Sequence, residues 1–554
     1  MIIVGIYGAD FNGDINHPIA ANLTNSETGK LTEADIHDSG CTIFIHGKHI
    51  CSVNEERLSR IKYDGEFPHK SINHCLEYAG ITGKDVDIVY YVTVYNTAVP
   101  FHYDENLTFK NIKPHFPNAK IRFCGHHLAH ASSTVFTSPY NEGTFLTFDG
   151  GGSGLYDPYR SEIPYVENNS IGYFNKEKKI FRFYNMPDQQ LNNFGNYYSH
   201  VASGLYAWKM QKKTESRTDF ISSVGKIMGL SAYGSLDKYK GGFESGFSVI
   251  DHSIPYITFP QGGWFNPPDT PEEGARWLQK SFEDGMLSLL KGLRKYHLDE
   301  TTCFAGGTFL NIVANTLIKE SGLFKNIHIP PFTDDAGLHF GAAAWGCFEE
   351  NETIDLPENI SLLGRDYSND QIKEYLDAFG LSYVPYDANE VAVMLSNQKI
   401  VGWFQGRSEH GPRALGSRSI FMSPAVAENK DILNERVKHR ESWRPFAGII
   451  REQDVSEYFE EGFITPYMLY IQTSKTDKIP AITHMDKSCR IQTVNSDQNP
   501  KVYDLLGRLE TPVILNTSFN DNGEPIVETP YHAISSFLKM NIDVLVIGDF
   551  IVNK

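Results

Sequence analysis

The chain opens on an apolar run, Ile2 to Tyr7, that stops at Gly8 and Asp10, the pattern of a buried strand closed by a turn. Asn12 to Asp35 follow neither a helical nor a strand period and read as a loop insertion. Alternation resumes at Cys41 to His46 and Ile50 to Asn54, with Gly47 and Lys48 as a hairpin turn, so the N-terminus begins as antiparallel strands. A helix is expected over His69 to Ala79. Strands are expected at Val86 to Val94, Thr144 to Phe148, Cys303 to Ala305 and Ile327 to Ile329, alternating with helix-patterned runs at Trp277 to Lys291 and Phe309 to Ile318. Such alternation describes an α/β fold. Between Phe348 and Asn369 the pattern turns polar, and a fresh α/β pattern starts at Gln371 to Ala378. The expected division is therefore residues 1–355 and 356–554, good to about ten residues. No repeat or low-complexity tract interrupts it.

At 554 residues the chain is too long for one hydrophobic core, in keeping with two domains. The seven cysteines are scattered, with no CxxC pair, which fits a reduced compartment. With no basic leader and no run of roughly 18 apolar residues, the reading is cytoplasmic and not membrane-bound. A net charge of −18 argues against a general nucleic-acid partner. Locally the balance reverses: Val401 to Ile450 hold eight Lys or Arg against five acids. A basic island in an acidic protein suits a small polyanion, such as ATP or an acyl phosphate.

In GHHLAH, His126 and His130 stand four apart, so a helix would put both imidazoles on one face. Alone, such a pair is commonly two hydrogen-bonded histidines. Asp149, after one strand, and Asp334 and Asp335, after another, add carboxylates, and two His with two Asp suit iron, manganese or zinc. Three glycine-rich segments read as strand-to-helix turns able to approach phosphate: Asp149 to Gly154, Gly225 to Gly229, and Ala305 to Asn311. In the second half, GWFQGRSEHGPRALGSRSI sets Arg407, Arg413 and Arg418 among glycines, as anion binding requires. Lys438, Arg440 and Arg444 crowd the next stretch, of which Arg436 and Arg440 are assigned to a solvated face; His484, Arg490, Asn516, Thr517 and Ser518 follow.

These runs, in this order, resemble the O-carbamoyltransferase family of nodulation protein U and the cephem and tobramycin carbamoyltransferases. The likeness spans nearly the whole chain: HDSG at 37–40, NEERLSRIK at 54–62, HHLAHA at 126–131, DGGGSG at 149–154, KIMGLSAYG at 226–234, GGTFLN at 306–311 and DAGLHFGAA at 335–343. It continues through GPRALGSRSI, VKHRESWRPFA, THMDKSCRIQTV and NTSFNDNGEPIV. It implies an N-terminal actin-like ATPase domain, similar to the subunit that transfers threonylcarbamoyl to tRNA, and a C-terminal YrdC-like α/β domain. It implies a metal set of His126, His130, Asp149 and Asp335 holding Fe²⁺ or a similar divalent ion. Arg413, Lys438, Thr483, Arg444, Arg490, Asn516 and Ser518 match positions expected to hold carbamoyl phosphate and ATP, and Gly229, Gly307 and Asn311 match contacts to a carbamoyl-adenylate. Departures include Gly448 where a proline is expected and Lys487 where a glycine is usual.

The implied reaction joins carbamoyl phosphate and ATP, with Mg²⁺, into carbamoyl-adenylate, then passes the carbamoyl group to a hydroxyl of a small-molecule natural product. Lys438, Arg444 and Arg490 would neutralise the reacting phosphates, and His37 would orient or deprotonate the hydroxyl, an assignment balanced by its reading as an ordinary loop histidine. A homodimer stays open. The competing readings are transfer to tRNA or to a protein, and a nonenzymatic actin-like regulator.

Overall fold

The structure is a computed structural model that describes residues 1–8, 37–93, 111–150, 154–155, 165–166, 169–184, 194–211, 217–236 and 269–554. The expected loop insertion at Asn12 to Asp35 lies outside them. The opening strand β1 (Ile2–Tyr7) pairs antiparallel with β2 (Gly40–Ile45), which turns into β3 (Lys48–Asn54), and β1 also pairs parallel with β4 (Ile88–Thr93), itself parallel to β5 (Lys120–Gly125). The β2–β3 turn sits one residue earlier than its sequence implied, on His46 and Gly47. Both have positive φ, as a two-residue turn matching the strand twist demands.

A second sheet repeats this plan. Its central strand β6 (Glu142–Phe148) is followed by a ribbon of β7 (Gly154–Leu155) and β8 (Tyr165–Val166), then β9 (Asn169–Asn175), β10 (Ile180–Phe183), β11 (Thr301–Ala305) and β12 (Asn326–His328). The strand orders are β3-β2-β1-β4-β5 and β10-β9-β6-β11-β12, with matching senses in each. This duplicated mixed sheet is of the actin-like ATPase type. Between the sheets, helices His126–Thr137 and Leu338–Glu349 cross in close contact. A Cβ on Gly341 would lie 1.9 Å from the Ala129 carbonyl oxygen, so only glycine permits this approach.

The rest of the chain builds one nine-stranded mixed sheet from β13 (Val384–Pro385), β14 (Val401–Phe404), β15 (Arg418–Met422), β16 (Ala447–Arg451), β17 (Ile471–Thr473), β18 (Ser488–Val494), β19 (Val513–Ser518), β20 (Val544–Ile547) and β21 (Phe550–Asn553). Two apolar clusters bury its faces, one around Phe404, Phe446 and Phe519, the other around Trp403, Phe421 and Leu505. This is the second α/β body that the resemblance implied.

One glycine segment behaves differently from its sequence reading. Gly225 to Gly229 lie inside the helix Arg217–Leu230, not in a turn. Among the described residues no helix is long and apolar enough to cross a membrane.

Candidate functional site

The helix that begins at His126 delivers His126 and His130 to one face, as their spacing requires, and both are fully buried. Asp149 at the end of β6 and Asp335 in the turn Asp335–Gly337 close on them from the second sheet and from the helix Leu338–Glu349. The ligand atoms lie within 4.8 Å of one another. The two Nε2 atoms are 3.1 Å apart; His126 Nε2 is 3.0 Å from Asp149 Oδ2, and His130 Nε2 is 3.4 Å from Asp335 Oδ1. Ligands about 2.1 Å from one ion at tetrahedral or octahedral angles are separated by about 3.0–3.5 Å, so these three neighbouring pairs stand at coordination spacing, and the widest separation in the set would have to shorten on a bound ion.

Each carboxylate turns one oxygen to the histidines and the other to a fixed donor. Asp149 Oδ1 accepts from the Gly307 N–H at 3.3 Å, and Asp335 Oδ2 from the Tyr7 hydroxyl at 3.0 Å. Gly306, at φ +100°, brings that Gly307 N–H in by letting the chain pass against the Phe148 carbonyl, which a Cβ would overlap at 1.9 Å. Burial alone would lower His130, but hydrogen bonds to Asp149 and Asp335 outweigh it and raise its pKa to about 9. Burial works against ionised Asp149, yet the two histidines hold it well below the usual carboxylate range. Two carboxylates and two imidazoles, so oriented, fit a divalent ion. His37 borders the cluster, with Nδ1 2.7 Å from Asp38 and Nε2 3.8 Å from Asp335 Oδ2.

From Asp149, Asp335 and His37 a cavity of about 1560 Å³ runs without a break to Arg413, Arg440, Arg444, Arg490, Asn516 and Ser518 in the other half of the molecule. Arg413 and Arg490 have no carboxylate within ion-pair distance among the described residues, and Arg490 Nε is buried without a partner there. Burial pushes Arg490 well down, with repulsion from Arg413, Arg440 and Arg444 adding to it; burial brings Arg413 to about 10, with Asp334 opposing and Arg444 reinforcing. Mutually repelling guanidinium groups around a cavity call for a multiply charged anion.

Family models for the carbamoyltransferase N-terminus and C-terminus match residues 31–99 with 272–344, and 392–554. An uncharacterized protein of Synechocystis is 30% identical, across 94% of this chain and 95% of its own. The chain belongs to the carbamoyltransferase family. Nodulation protein NolNO of Sinorhizobium fredii is 29% identical, covering 95% of this carbamoyltransferase and 80% of that protein, and nodulation protein NolO of Bradyrhizobium diazoefficiens is 32% identical over 77% and 78%. The T. kodakarensis HypF structure is a distant likeness, at 11% identity and a TM-score of 0.34 over 63% of this chain and 47% of that one.

Several residues of this carbamoyltransferase sit differently from their sequence reading. Lys438 does not face the cavity: its ammonium donates to the carbonyl oxygens of Ser518 and Asn520, at 3.0 and 2.8 Å, and to Asn520 Oδ1 at 2.8 Å. Its donors are spent on the loop after β19, which it positions. Thr483 also lies off the cavity, its hydroxyl donating to the Ile479 carbonyl at 2.9 Å. Arg440, read as solvated, lines the cavity with its guanidinium 4.1 Å from the Phe446 ring centroid. Arg407 and Arg418 bind backbone carbonyls, Arg407 those of Gly364 and Leu363, Arg418 those of Gln405 and Gly406, leaving Arg413 as the arginine of that run that reaches the cavity.

The remaining positions fall as expected or with a second task. Asn516 reaches the cavity while its Nδ2 donates to the Ala414 carbonyl, tying β19 to the Arg413 loop. Gly229, Gly307 and Asn311 line the cavity, and the Asn311 amide is also paired with Gln279. Sequence reading missed Tyr7, hidden in an apolar strand, and Glu409. The latter's carboxylate accepts the N–H groups of Leu415, Ser417 and Arg418 and so shapes the Arg413 loop.

Proposed function

We propose that this carbamoyltransferase is an ATP-dependent O-carbamoyltransferase that makes carbamoyl-adenylate in its C-terminal domain, residues 356–554, and spends it in its N-terminal domain, residues 1–355. The observation that carries the reading is the single cavity that joins unpaired arginines to the His/Asp cluster. Carbamoyl phosphate and ATP bring the negative charge that Arg413 and Arg490 lack, with Arg440 and Arg444 beside them and Mg²⁺ accompanying the nucleotide. Water cleaves carbamoyl phosphate to phosphate and carbamate. A carbamate oxygen attacks the α-phosphorus of ATP, and the bond to pyrophosphate breaks. Carbamate decomposes quickly in bulk water, so holding both reactants in one enclosed site is a requirement of the chemistry.

In the N-terminal half a substrate hydroxyl attacks the carbamoyl carbon, the bond to the AMP oxygen breaks, and AMP leaves. His37, held by Asp38, takes the hydroxyl proton. His126, His130, Asp149 and Asp335 would hold a divalent ion such as Fe²⁺, which when bound supplies Lewis-acid polarisation beside the reacting carbonyl. The acceptor in this reading is a small hydroxylated natural product.

Pyrophosphate release tests the scheme. The protein with ATP, Mg²⁺ and carbamoyl phosphate is expected to release pyrophosphate; Arg490→Ala is expected to lower that rate at least a hundredfold, and His130→Ala to leave it within about twofold. Release without carbamoyl phosphate, or equal loss in both variants, would overturn the two-site assignment.

A further inference from the structure

Asn54, Glu56 and Lys62 of the segment NEERLSRIK line the cavity, while its two arginines cross between the two halves. Arg57, on the short helix Glu55–Ser59, is almost fully buried and donates from Nη2 to the Gly411 carbonyl at 2.8 Å, two residues before Arg413. Gly411 has φ +105°, and a Cβ there would lie 2.6 Å from the Pro331 carbonyl oxygen, so the first half also braces this loop from its other side. Arg60 caps the same helix in the left-handed region at φ +64°. It donates to the carbonyls of Ile526 and Pro525, each at 2.7 Å. That stretch reaches the Lys438 anchor through Asn520, whose Nδ2 donates to the Glu524 carbonyl.

The other end of the segment touches the transfer site. Asn54 Nδ2 donates to the Asp38 carbonyl at 3.0 Å and the Glu55 N–H to the Ser39 carbonyl at 2.8 Å, next to His37. Seven residues therefore hold His37 and Asp38 at one end and both anion-binding loops at the other.

We infer that Arg57 and Arg60 are positioning residues that set Arg413 and the 518–526 loop against the transfer site, so that the arginine cluster reaches its anion-binding geometry only when docked on the first half. The inference rests on the proposed activation reaction. Both arginines satisfy carbonyl oxygens that carry no substrate, and each bond fixes a loop one or two steps from a cavity residue. Lysine at either position keeps the charge but loses the fork that reaches its carbonyls.

Steady-state pyrophosphate release across a carbamoyl phosphate titration tests this with full-length Arg57→Lys and Arg60→Lys proteins. The KM for carbamoyl phosphate is expected to rise about tenfold in each, the scale of one lost charged hydrogen bond, with the melting temperature within a few degrees of the parent. A purely structural role would lower kcat in step with the folded fraction and leave KM alone; KM within twofold of the parent in both variants would overturn the inference. Should Arg57→Lys fail to fold, Arg60→Lys, whose side chain is partly exposed, decides alone. A parent protein that releases no pyrophosphate would sink the activation reading, and this inference with it.

Discussion

The Tyr7 hydroxyl is the kind of detail on which a metal centre depends. It fixes Asp335 by one oxygen so that the other faces the histidines, and it is itself buried, its pKa raised well above the ordinary value by burial and by Asp335. Tyr7→Phe keeps the ring and removes this one bond. Divalent metal affinity, followed by titration of the metal-stripped protein, is expected to fall tenfold or more, with little change in melting temperature. Unchanged affinity would mean that Asp335 is oriented by packing alone. Of the four residues that would hold the ion, sequence spacing singled out the histidines, and strand ends marked the carboxylates. Tyr7 was illegible because its position in the strand period marks burial, and only the paired fold reveals what its hydroxyl meets. Arg440 was misread for a related reason. The helix before it loosens into a wider turn over Asn434–Lys438 and ends at His439 with φ +45°, so the helical period that put Arg440 on the solvated face no longer applies.

Among elements, the crossing of His126–Thr137 with Leu338–Glu349 controls the site most directly, since one helix carries both histidines and the other follows Asp335 immediately. Gly341→Ala would press a methyl group into the Ala129 carbonyl, and the helices must part. The expected result is a loss of about 1–3 kcal/mol in denaturant unfolding, together with weaker metal retention on dialysis. A variant as stable as the parent would contradict the close packing. Strands and helices with strong periods were legible to within a few residues, the helix His69–Ala79 to the residue. The helix Arg217–Leu230 was hidden by its glycines, although Phe220, Val224 and Ile227 carry the helical period that identifies it. Lys487, which departs from the usual glycine, takes φ +63°, the conformation a glycine there would adopt without strain.

Across the whole molecule, neutral histidines are buried in every layer. His49 lies in the first sheet, His328 in the second, and His410 against the Arg413 loop, each pushed down by burial, the last two to about 3. A folded pKa below the unfolded 6.5 means that the unfolded chain binds the proton first, so this stability is present above pH 6.5 and is lost as pH falls toward 3. His328 also meets the Thr137 hydroxyl at 2.9 Å, a contact that glutamine is able to keep. Urea unfolding at pH 7 and pH 5 is expected to cost His328→Gln about 2 kcal/mol less than the parent. Equal losses would show that His328 is protonated in the fold. The duplication of the two sheets left no trace as a sequence repeat, because each copy bears different site residues while strand order and sense persist.

The chamber has a kinetic corollary. At about 1560 Å³ it exceeds the 300–1,000 Å³ of an ordinary small-molecule pocket, so it has space for nucleotide and acceptor together. A room that size also admits water when the acceptor is missing, and water attacks an acyl-adenylate as readily as an alcohol does. On the adenylate route proposed above, an enzyme starved of acceptor idles as a slow generator of AMP, and tight acceptor binding would serve thrift as much as selectivity.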